Sequence, residues 1–464
     1  MENLTVEEIT QAVGGKLLCG DPQTVISYIS IDSRDIQENT LFTPIIGERV
    51  DAHKFISQVF EAGAKAAFTS RGEIVDRSKP HILVENTEAA LGDLAVYYRS
   101  KFPVPVVGIT GSVGKTSTKE MIAAALSSRY NVLKTAGNQN SNIGVPLTLF
   151  RLGPEHEIAV VEMGISDFGE MDALVRFAGP RTAVVTNIGV AHIGILKTQE
   201  NIMNEKLKIA QNFQPGQPFY LNGNDPMLKI AASNYPENAR LFGHAENGKQ
   251  CDFTYYAKDM YIRDGMEHFT FVWPQGETQV VIRQLGVHNV NNAVVAMAIA
   301  MEYGIDPETA AGGLYGYEGV AMRQQINHLK DGIKVIDDTY NASPDSIKSG
   351  IEVLKLLDNP GRKIAVLADV LELGDMSRQC HYDTGCFVAQ SGIDEVVTVG
   401  EEMKALVEAV REHAPHMLAS NFSCNADAAE YLKKIVKPGD AFLVKGSRGM
   451  RQEEIVKALK EYLS

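Results

Sequence analysis

A glycine-rich turn between an apolar run and a helix start constrains the fold of this chain more than any other segment. Residues 104–109 predict a buried strand, and the turn Thr110-Gly-Ser-Val-Gly-Lys-Thr116 leads into a helix. Backbone N–H groups in such a turn face an anion, and the helix N-terminus adds a partial positive charge. The segment therefore predicts a phosphate-binding loop between a strand and a helix.

Two side chains of this loop have predicted roles with a nucleotide. Lys115 is expected to reach the terminal phosphates, and the Thr116 hydroxyl to hold a magnesium ion. The spacing departs from the common G-x-x-x-x-G-K-[ST] pattern, because Ile109 stands where the first glycine belongs. An ordinary strand–helix turn leaves the Gly-Lys-Thr sequence unexplained, so we favour the phosphate-binding interpretation. The predicted phosphate contacts are Gly111, Ser112, Val113, Gly114, Lys115, Thr116 and Ser117.

The size and charge of the chain narrow its class. A length of 464 residues suits about three domains rather than one hydrophobic core. The net charge of −14 argues against a nucleic-acid partner, whose phosphates would be repelled. The N-terminal segment is acidic, and no apolar run approaches the roughly 18 residues of a membrane helix. The cysteines are scattered along the chain, which is typical of reduced thiols, so we expect a cytoplasmic protein. Because no membrane helix is predicted, we also expect no stable membrane association.

The order of the predicted elements indicates an α/β fold in three blocks. Short strands mixed with helices fill residues 1–100, and Pro103 and Pro105 exclude helix from the linker that follows. In residues 101–315 strands alternate with helices, which predicts a parallel sheet wrapped by helices. Residues 316–464 repeat this alternation. Because ligands bind at the carboxyl ends of parallel strands, polar residues just past strand ends are the site candidates.

Glu162 and His192 are two such residues. Glu162 directly follows the apolar run 158–161, where a carboxylate suits a second magnesium contact; the alternative is a solvated strand-end glutamate. His192 follows another predicted strand, residues 183–187, and a turn. A metal or phosphate role and an ordinary polar role fit that position equally well.

Lys206 interrupts an apolar helix face. Ile202, Lys206, Ile209 and Phe213 follow the spacing of one stripe on a predicted helix. A lysine there either extends its amine to solvent or stays neutral and reacts with CO₂, which gives a carbamate that ligates magnesium. The spacing alone favours the first alternative.

Two segments are rich in side-chain amides, which both donate and accept hydrogen bonds. Residues 137–146 form a loop before a helix, and the alternating asparagines there favour substrate recognition over simple turn chemistry. Residues 288–292 precede a helix predicted over 293–301, where asparagines either read a purine edge or cap the helix. The candidates are Asn138, Asn140, Asn142, Asn289 and Asn292.

The C-terminal block contributes nucleotide and carboxylate candidates. Asp338 is placed to bond a ribose and Tyr340 to stack on a base, just past a predicted strand. Arg323 lies in the segment between the last two blocks, where a cation stabilises a transferring phosphate. Lys445 and Arg448, after the last strand, form a second basic loop that suits a carboxylate.

Together these motifs resemble the Mur ligases, the ATP-dependent amide-forming enzymes of peptidoglycan assembly. The matching segments follow the family's order along nearly the whole chain; they are residues 110–116, residues 138–142, Glu162, Asn187 with His192, and residues 288–289. Lys206 falls where the family carries a carbamylated lysine, so the resemblance reverses the preference stated above. Ser33 and Arg34, within residues 32–34, resemble part of the UDP-sugar-binding domain of the tripeptide-handling members.

The resemblance implies a fold and a reaction. It implies an N-terminal UDP-sugar-binding domain at residues 1–100, a central P-loop ATP-binding domain at 101–315 and a C-terminal Rossmann-like domain at 316–464. Segments 337–344, 371–374 and 445–448 are most similar to the members that add D-alanyl-D-alanine to UDP-N-acetylmuramoyl-tripeptide. ATP and Mg²⁺ are the implied cofactors, an acyl phosphate is the implied intermediate, and we expect a monomer. The alternatives are an amino-acid-adding Mur ligase, a folylpolyglutamate synthase-like ligase, and a scaffold protein that only binds ATP.

The resemblance also distributes roles among the candidates. It assigns catalysis to Lys115, Lys206, His192 and Arg323, and metal binding to Thr116, Glu162, His192 and Lys206. Beyond the phosphate loop, it assigns nucleotide binding to Asn289, Asn292, Arg323, Asp338, Tyr340 and Asn341. Substrate binding falls to Ser33, Arg34, Asn138, Asn140, Asn142, Lys445 and Arg448.

Overall fold

The computed structural model describes residues 1–47, 49–246 and 251–463. Its N-terminal block consists of β1 (Leu4–Thr5), α1 (Val6–Ala12), β2 (Lys16–Cys19), β3 (Val25–Ile26), β4 (Tyr28–Ser30), β5 (Thr40–Phe42), α2 (Ile56–Glu61), β6 (Ala66–Thr69), β7 (His81–Leu83) and α3 (Thr87–Ser100). Strands β2, β7, β6, β5 and β4 form one sheet in that order, with β2 antiparallel to β7 and the others parallel. Thr5 starts α1 with a capping box, because its hydroxyl accepts the Glu8 N–H while the Glu8 carboxylate accepts the Thr5 N–H.

The central block follows the linker directly. It contains β8 (Val106–Thr110), α4 (Lys115–Leu126), β9 (Val132–Lys134), α5 (Gly144–Leu149), β10 (Ile158–Glu162), α6 (Glu170–Ala178), β11 (Thr182–Val185), α7 (Ile193–Leu196), α8 (Gln199–Leu207), β12 (Phe219–Asn222), α9 (Pro226–Ala231), β13 (Ala239–His244), β14 (Tyr255–Arg263), β15 (Met266–Trp273), β16 (Gly276–Ile282), α10 (Val287–Glu302) and α11 (Pro307–Tyr315). Within the described residues its nine strands form one sheet in the order β16-β15-β14-β13-β12-β11-β8-β10-β9. Strand β8, which carries the phosphate loop, therefore lies inside the sheet with β10 and β11 on either side.

The predicted parallel sheet is confirmed in the central block, and an antiparallel extension continues it at one edge. From β9 to β14 all neighbours are parallel, but β14, β15 and β16 form an antiparallel meander. Asp264 and Gly265 join β14 to β15, with φ values of 54° and 72°. Two consecutive residues with positive φ are typical of the tight turn of a β-hairpin, which leaves no room for a crossover helix.

Helix α10 also differs from its prediction. It begins at Val287 rather than at residue 293, so residues 288–292 lie inside its first turns. Gly286 precedes it with a φ of 100°, and its N–H donates to the Glu267 carboxylate on β15 at 2.9 Å. This long-range contact sets the start of the helix, and it places His288 and the asparagines on fixed helical positions instead of in a loop.

The C-terminal block is a second α/β unit. It contains β17 (Gln325–His328), β18 (Lys334–Asp338), α12 (Pro344–Leu356), β19 (Lys363–Ala368), α13 (Ser377–Gln390), β20 (Glu395–Val399), α14 (Met403–His413), β21 (Leu418–Phe422), α15 (Asn425–Ile435), β22 (Ala441–Lys445) and α16 (Glu453–Tyr462). The strand order is β17-β18-β22-β19-β20-β21, parallel except for β17 at the edge. Strands β19 and β22 are direct neighbours, so the loops after them lie side by side.

Buried apolar side chains connect the three blocks. One cluster includes Phe68 from the first sheet, Val161 from the second and Leu443 from the third. Strands β6, β10 and β22, which carry these residues, are buried along their whole length, and they have near-continuous apolar runs rather than an alternating pattern. In the described part of the chain, we find no helix with the length and apolar character that a membrane crossing requires.

Candidate active site

A cleft with a volume of about 420 Å³ lies where the carboxyl ends of the central strands face the C-terminal block. Its walls come from the phosphate loop, the amide-rich loop, the start of α10 and four C-terminal loops. The predicted site residues that line it are Ser112, Val113, Gly114, Lys115, Thr116, Ser117, Asn138, Asn140, Glu162, His192, Asn289, Asn292, Arg323, Asp338, Tyr340, Asn341, Lys445 and Arg448. Candidates far apart in the sequence thus meet in one place.

The phosphate loop is shaped by the residues after β11. Gly111 has a φ of 148°, and a Cβ there would lie 1.9 Å from the Thr186 hydroxyl, so only glycine fits. Thr186 Oγ1 donates to the Val113 carbonyl at 2.5 Å, and Asn187 Oδ1 accepts the Val113 N–H at 2.8 Å. Gly114, with a φ of 86°, starts helix α4. The loop is therefore held in a fixed shape around the helix N-terminus, as an anion site requires.

Lys115 extends along this loop. Its Nζ donates to the Gly111 carbonyl at 2.7 Å. Burial lowers the pKa of Lys115, the charge of Glu162 opposes that shift, and the charge of Arg323 adds to it. Two cations held in one enclosed place favour binding of a polyanion, which stabilises both charges.

Thr116 and Glu162 fit a magnesium site. The Thr116 hydroxyl donates to Glu162 Oε2 at 3.0 Å, and Asn140 Nδ2 donates to Glu162 Oε1 at 2.7 Å. Glu162 is buried. Within the described residues no three His, Cys, Asp or Glu side chains cluster as a metal site. Mg²⁺ is commonly held by one or two carboxylates together with substrate phosphates, so one hydroxyl and one carboxylate beside the loop suffice.

Lys206 lies on α8, which begins after its cap Thr198 and ends at Leu207. Ile209 belongs to the short 3-10 turn Lys208–Ala210, so the predicted stripe continues on a tighter turn rather than on the α-helix. The Lys206 side chain is 1% exposed, and its amine has no hydrogen-bond or ion-pair partner among the described residues. Burial lowers the pKa of Lys206 well below its usual value, and the charge of Lys115 adds to this shift. A neutral amine is the form that reacts with CO₂.

His192 lies at the seam between the central and C-terminal blocks. It precedes α7 with a φ of 61°, and its Nδ1 is 3.0 Å from Glu372 Oε2 in the C-terminal block. Burial lowers the pKa of His192, and the charge of Glu372 opposes that shift. Gly189 packs against Asp345 so closely that a Cβ would lie 2.3 Å from its carboxylate. The loop that carries His192 is thus in direct contact with the C-terminal block.

The nucleotide candidates form a connected group. The Arg323 guanidinium stacks over the Tyr340 ring at 4.0 Å and donates to the Thr116 hydroxyl at 3.3 Å. Its Nε is buried with no partner among the described residues. Asn292 Oδ1 accepts the Thr118 hydroxyl at 2.8 Å, which ties α10 to α4. Arg323 therefore reaches from the C-terminal side to the phosphate loop, and its Nε–H is available to donate a hydrogen bond to a ligand.

Five predicted residues lie outside the cleft lining. Gly111 and Lys206 are not among the lining residues, and Asn142 has a buried Oδ1 with no partner in the described part of the chain. Ser33 and Arg34 belong to the N-terminal block, where the exposed Arg34 pairs with Asp32 at 2.6 Å. The cleft thus gathers the predicted phosphate and C-terminal residues, but not the predicted UDP-sugar contacts.

Sequence reasoning missed two charged residues. Lys119, one turn after Lys115, is buried; its Nζ donates to the Thr135 carbonyl at 2.7 Å and lies 3.9 Å from Glu162 Oε2. The sequence signal that could have identified Lys119 is the presence of a lysine on the buried face of α4. Glu372 was used only as part of a family segment, and nothing local indicated its contact with His192.

Lys445 and Asp338 form a buried ion pair. Lys445 Nζ donates to Asp338 Oδ2 at 2.7 Å, and their side chains are 3% and 7% exposed. Burial lowers the pKa of Lys445, and Asp338 opposes that shift. Lys445, which was predicted to bind a carboxylate, is therefore already paired with Asp338, which was predicted to bind a ribose. Arg448 is the more available cation of that loop.

We expect Asp338→Asn to lower the free energy of unfolding by about 3 kcal/mol, because it leaves the buried Lys445 charge uncompensated. Chemical denaturation of the purified protein measures this. The control is Glu401→Gln, which breaks an exposed pair with Lys404 and should leave stability unchanged. Equal stability of Asp338→Asn and the parent protein would show that the ion pair does not stabilise the fold.

Comparison with protein families matches three segments of the chain. Residues 25–99 match the model described as Mur ligase family, catalytic domain, and residues 109–300 match the Mur ligase middle domain. Residues 322–448 match the Mur ligase, glutamate ligase domain. Each match contains one of the three main sheets or most of it.

Individual relatives cover the chain from end to end. The UDP-N-acetylmuramoyl-tripeptide–D-alanyl-D-alanine ligase of Bacillus subtilis is 38% identical, with 98% of each chain covered. A crystal structure of MurF from Acinetobacter baumannii has a TM-score of 0.90 at 32% identity, covering 99% of both chains. The MurF ligase from Thermotoga maritima, solved in complex with ADP, has a TM-score of 0.82 at 28% identity, covering 94% of this chain and 97% of that one.

Proposed function

The chain belongs to the Mur ligase family, and from that premise we propose that it joins D-alanyl-D-alanine to UDP-N-acetylmuramoyl-tripeptide at the expense of ATP. The observation that carries the proposal is the cleft itself. A phosphate loop with Lys115, Thr116 and Glu162 faces the C-terminal residues Arg323 and Arg448 across one cavity. Phosphate chemistry on one wall and a cationic loop on the other suit a reaction that activates one carboxylate and brings in a second peptide.

The reaction needs positioning and charge stabilisation rather than a nucleophilic side chain. The terminal carboxylate of the tripeptide attacks the γ-phosphorus of ATP, ADP leaves, and an acyl phosphate forms. The amine of D-alanyl-D-alanine then attacks the acyl carbon; the tetrahedral intermediate expels phosphate and the amine loses a proton. Lys115 and Arg323 both line the cleft at the phosphate loop, so they would stabilise the charge that develops during the transfer.

Magnesium is part of the proposal. Thr116 and Glu162 would hold one ion beside the phosphates, and His192 with a carbamate on Lys206 would hold a second. Bound there, Mg²⁺ would neutralise phosphate charge as a Lewis acid. The support for the second site is the buried Lys206 side chain, whose pKa is lowered well below its usual value by burial and by the charge of Lys115.

The remaining proposals concern the domain bounds, the substrate and nucleoside contacts, and the state of the protein in the cell. We propose domains at residues 1–100, 101–315 and 316–464, with the UDP-sugar on the N-terminal domain near Ser33 and Arg34. Asn138 and Asn142 are proposed substrate contacts, while the bond from Asn140 to Glu162 supports a role in orienting that carboxylate. Asn289, Asn292, Asp338, Tyr340 and Asn341 are the proposed contacts to the nucleoside part of ATP. We propose a cytoplasmic monomer.

The matched N-terminal segment disfavours a folylpolyglutamate synthase, whose substrate has no UDP-sugar to bind. A Mur ligase that adds a single amino acid is the remaining alternative. Competition between acceptors at fixed ATP and UDP-N-acetylmuramoyl-tripeptide tests it. We expect ADP and phosphate release only with D-alanyl-D-alanine. If lysine or D-glutamate is ligated to its own UDP-linked acceptor and the dipeptide gives no ADP release, the chain is another member of the family.

A further inference from the structure

Glu372 occupies an unusual place at the edge of the cleft. It lies between β19 and α13 with a φ of 68°, a conformation that non-glycine residues rarely adopt. Its side chain is 68% exposed and its Oε2 is 3.0 Å from His192 Nδ1 on the opposite wall. A Cβ on Gly194 would lie 3.1 Å from the Glu372 carbonyl oxygen, so the two blocks meet closely at this point. Glu372 therefore places a side-chain carboxylate of the C-terminal block at the seam, beside the phosphate site.

A cation lies on the neighbouring loop. Strands β19 and β22 are adjacent and parallel, and Arg448 follows β22 as Glu372 follows β19. The Leu371 N–H donates to Ser447 Oγ at 2.9 Å, which ties the two loops together. The Arg448 side chain is 56% exposed and uses Nη1 to pair with Glu453 at 3.1 Å. A carboxylate and a guanidinium thus line the same end of the cleft from adjoining loops.

The other carboxylates of the cleft lining are engaged. Glu162 accepts hydrogen bonds from Thr116 and Asn140, and Asp338 accepts the Lys445 ammonium. Glu170 accepts the backbone N–H groups of two neighbouring loop residues. Within the described residues, Glu372 has only His192 as a charged partner, so it is the carboxylate of the cleft most available to a cationic ligand.

We propose that Glu372 binds the ammonium group of the incoming D-alanyl-D-alanine and that Arg448 binds its carboxylate. This inference rests on the proposed function and adds the residues that select the acceptor. Two extended residues span about 7 Å, so the two charged ends of a dipeptide are far enough apart to contact two adjoining loops.

The position of Glu372 also suits the reaction. The acceptor amine must reach the acyl carbon next to the phosphates, and Glu372 contacts His192 in the cleft that Lys115 also lines. Glu372 thus receives the acceptor on the C-terminal side while Lys115 holds the phosphates on the other. Its role is to bind and orient the amine, which makes it a specificity determinant of the second half-reaction.

Glu372→Gln tests this, since it removes the charge and keeps the shape of the side chain. We expect the KM for D-alanyl-D-alanine to rise about tenfold or more, the effect of losing a charged hydrogen bond. The KM values for ATP and the UDP-linked tripeptide, and kcat at saturating dipeptide, should stay nearly unchanged. Glu372→Asp should recover part of the affinity. The matched control is Asp375→Asn on the same exposed segment, which should change none of these constants.

A non-reacting ligand separates binding from turnover. N-acetyl-D-alanyl-D-alanine lacks the ammonium group, so it should inhibit the parent protein and Glu372→Gln with equal affinity. An unchanged dipeptide KM in Glu372→Gln, or a loss confined to kcat or to the KM for ATP, would overturn the inference and place Glu372 with His192 instead. Failure of the unaltered protein to ligate the dipeptide at all would reject the proposed function, an outcome distinct from both.

Discussion

Lys115→Ala is expected to reduce ATP-dependent ligation by at least about 10²–10³-fold while the protein remains folded. The lysine ammonium contacts the carbonyls of its own loop, so its removal takes away little packing. The loop shape depends on Thr186 and Asn187, which the substitution leaves in place. What is lost is the charge that faces the terminal phosphates, and this loss is greatest in the transition state of phosphoryl transfer.

Coupled measurement of ADP release checks this result, with thermal denaturation to show that the fold is intact. Lys457→Ala provides the control, since that lysine is exposed on the last helix and carries the same charge. It should keep full activity. Near-normal turnover by a folded Lys115→Ala protein would reject the assignment of residues 110–116 as the catalytic phosphate loop.

Lys206→Ala is expected to be inactive and to regain part of its activity with a small carboxylate such as formate or acetate. The physical reason is that Lys206 has a buried, unpartnered amine, and its pKa is well below the usual value because of burial and the nearby Lys115 charge. A carbamate converts this amine into an anion that balances the local positive charge. A free carboxylate placed in the space left by the side chain restores the anion.

Two measurements examine Lys206 directly. Growth of crystals with Mg²⁺ and bicarbonate should reveal additional density on Nζ close to a metal ion, and ¹³C-labelled bicarbonate should give a carbamate signal by NMR. Lys258→Ala is the control, since that lysine is ion-paired at the surface with Glu277, and it should remain active. A free ammonium on Lys206 in such a crystal, or failure of carboxylates to restore activity, would contradict the carbamate.

Much of the local structure follows from short stretches of sequence. The strands predicted at residues 104–109 and 183–187 agree within two residues at each end with Val106–Thr110 and Thr182–Val185, because continuous apolar runs are characteristic of buried parallel strands. The phosphate loop is equally local, since Gly111 and Gly114 adopt backbone angles that few other residues accept. The family resemblance rested on these segments, and the relatives that span the whole chain agree with it.

Other features of the structure were not predicted from those short segments. The start of α10 depends on a bond from Gly286 to Glu267, and the antiparallel edge depends on a hairpin turn that competes with the alternation of strands and helices. The spacing around Lys206 alone favoured a solvent-directed amine, whereas the tertiary structure buries it. For the start of α10 and for the burial of Lys206 the deciding partners are distant in sequence. The hairpin turn is the local pair Asp264-Gly265, which the sequence analysis did not use.

The amino-acid sequence by itself determined the phosphate loop, the α/β alternation and the residue types at the strand ends, because backbone sterics and apolar periodicity act over a few residues. Only the tertiary structure decided which strand ends face each other. It paired Lys445 with Asp338, left Arg448 as the freer cation, and placed Glu372 against His192 across the seam. The physical reason is that a charge is neutralised, buried or left available according to its neighbours in space, and chain folding alone brings those neighbours together.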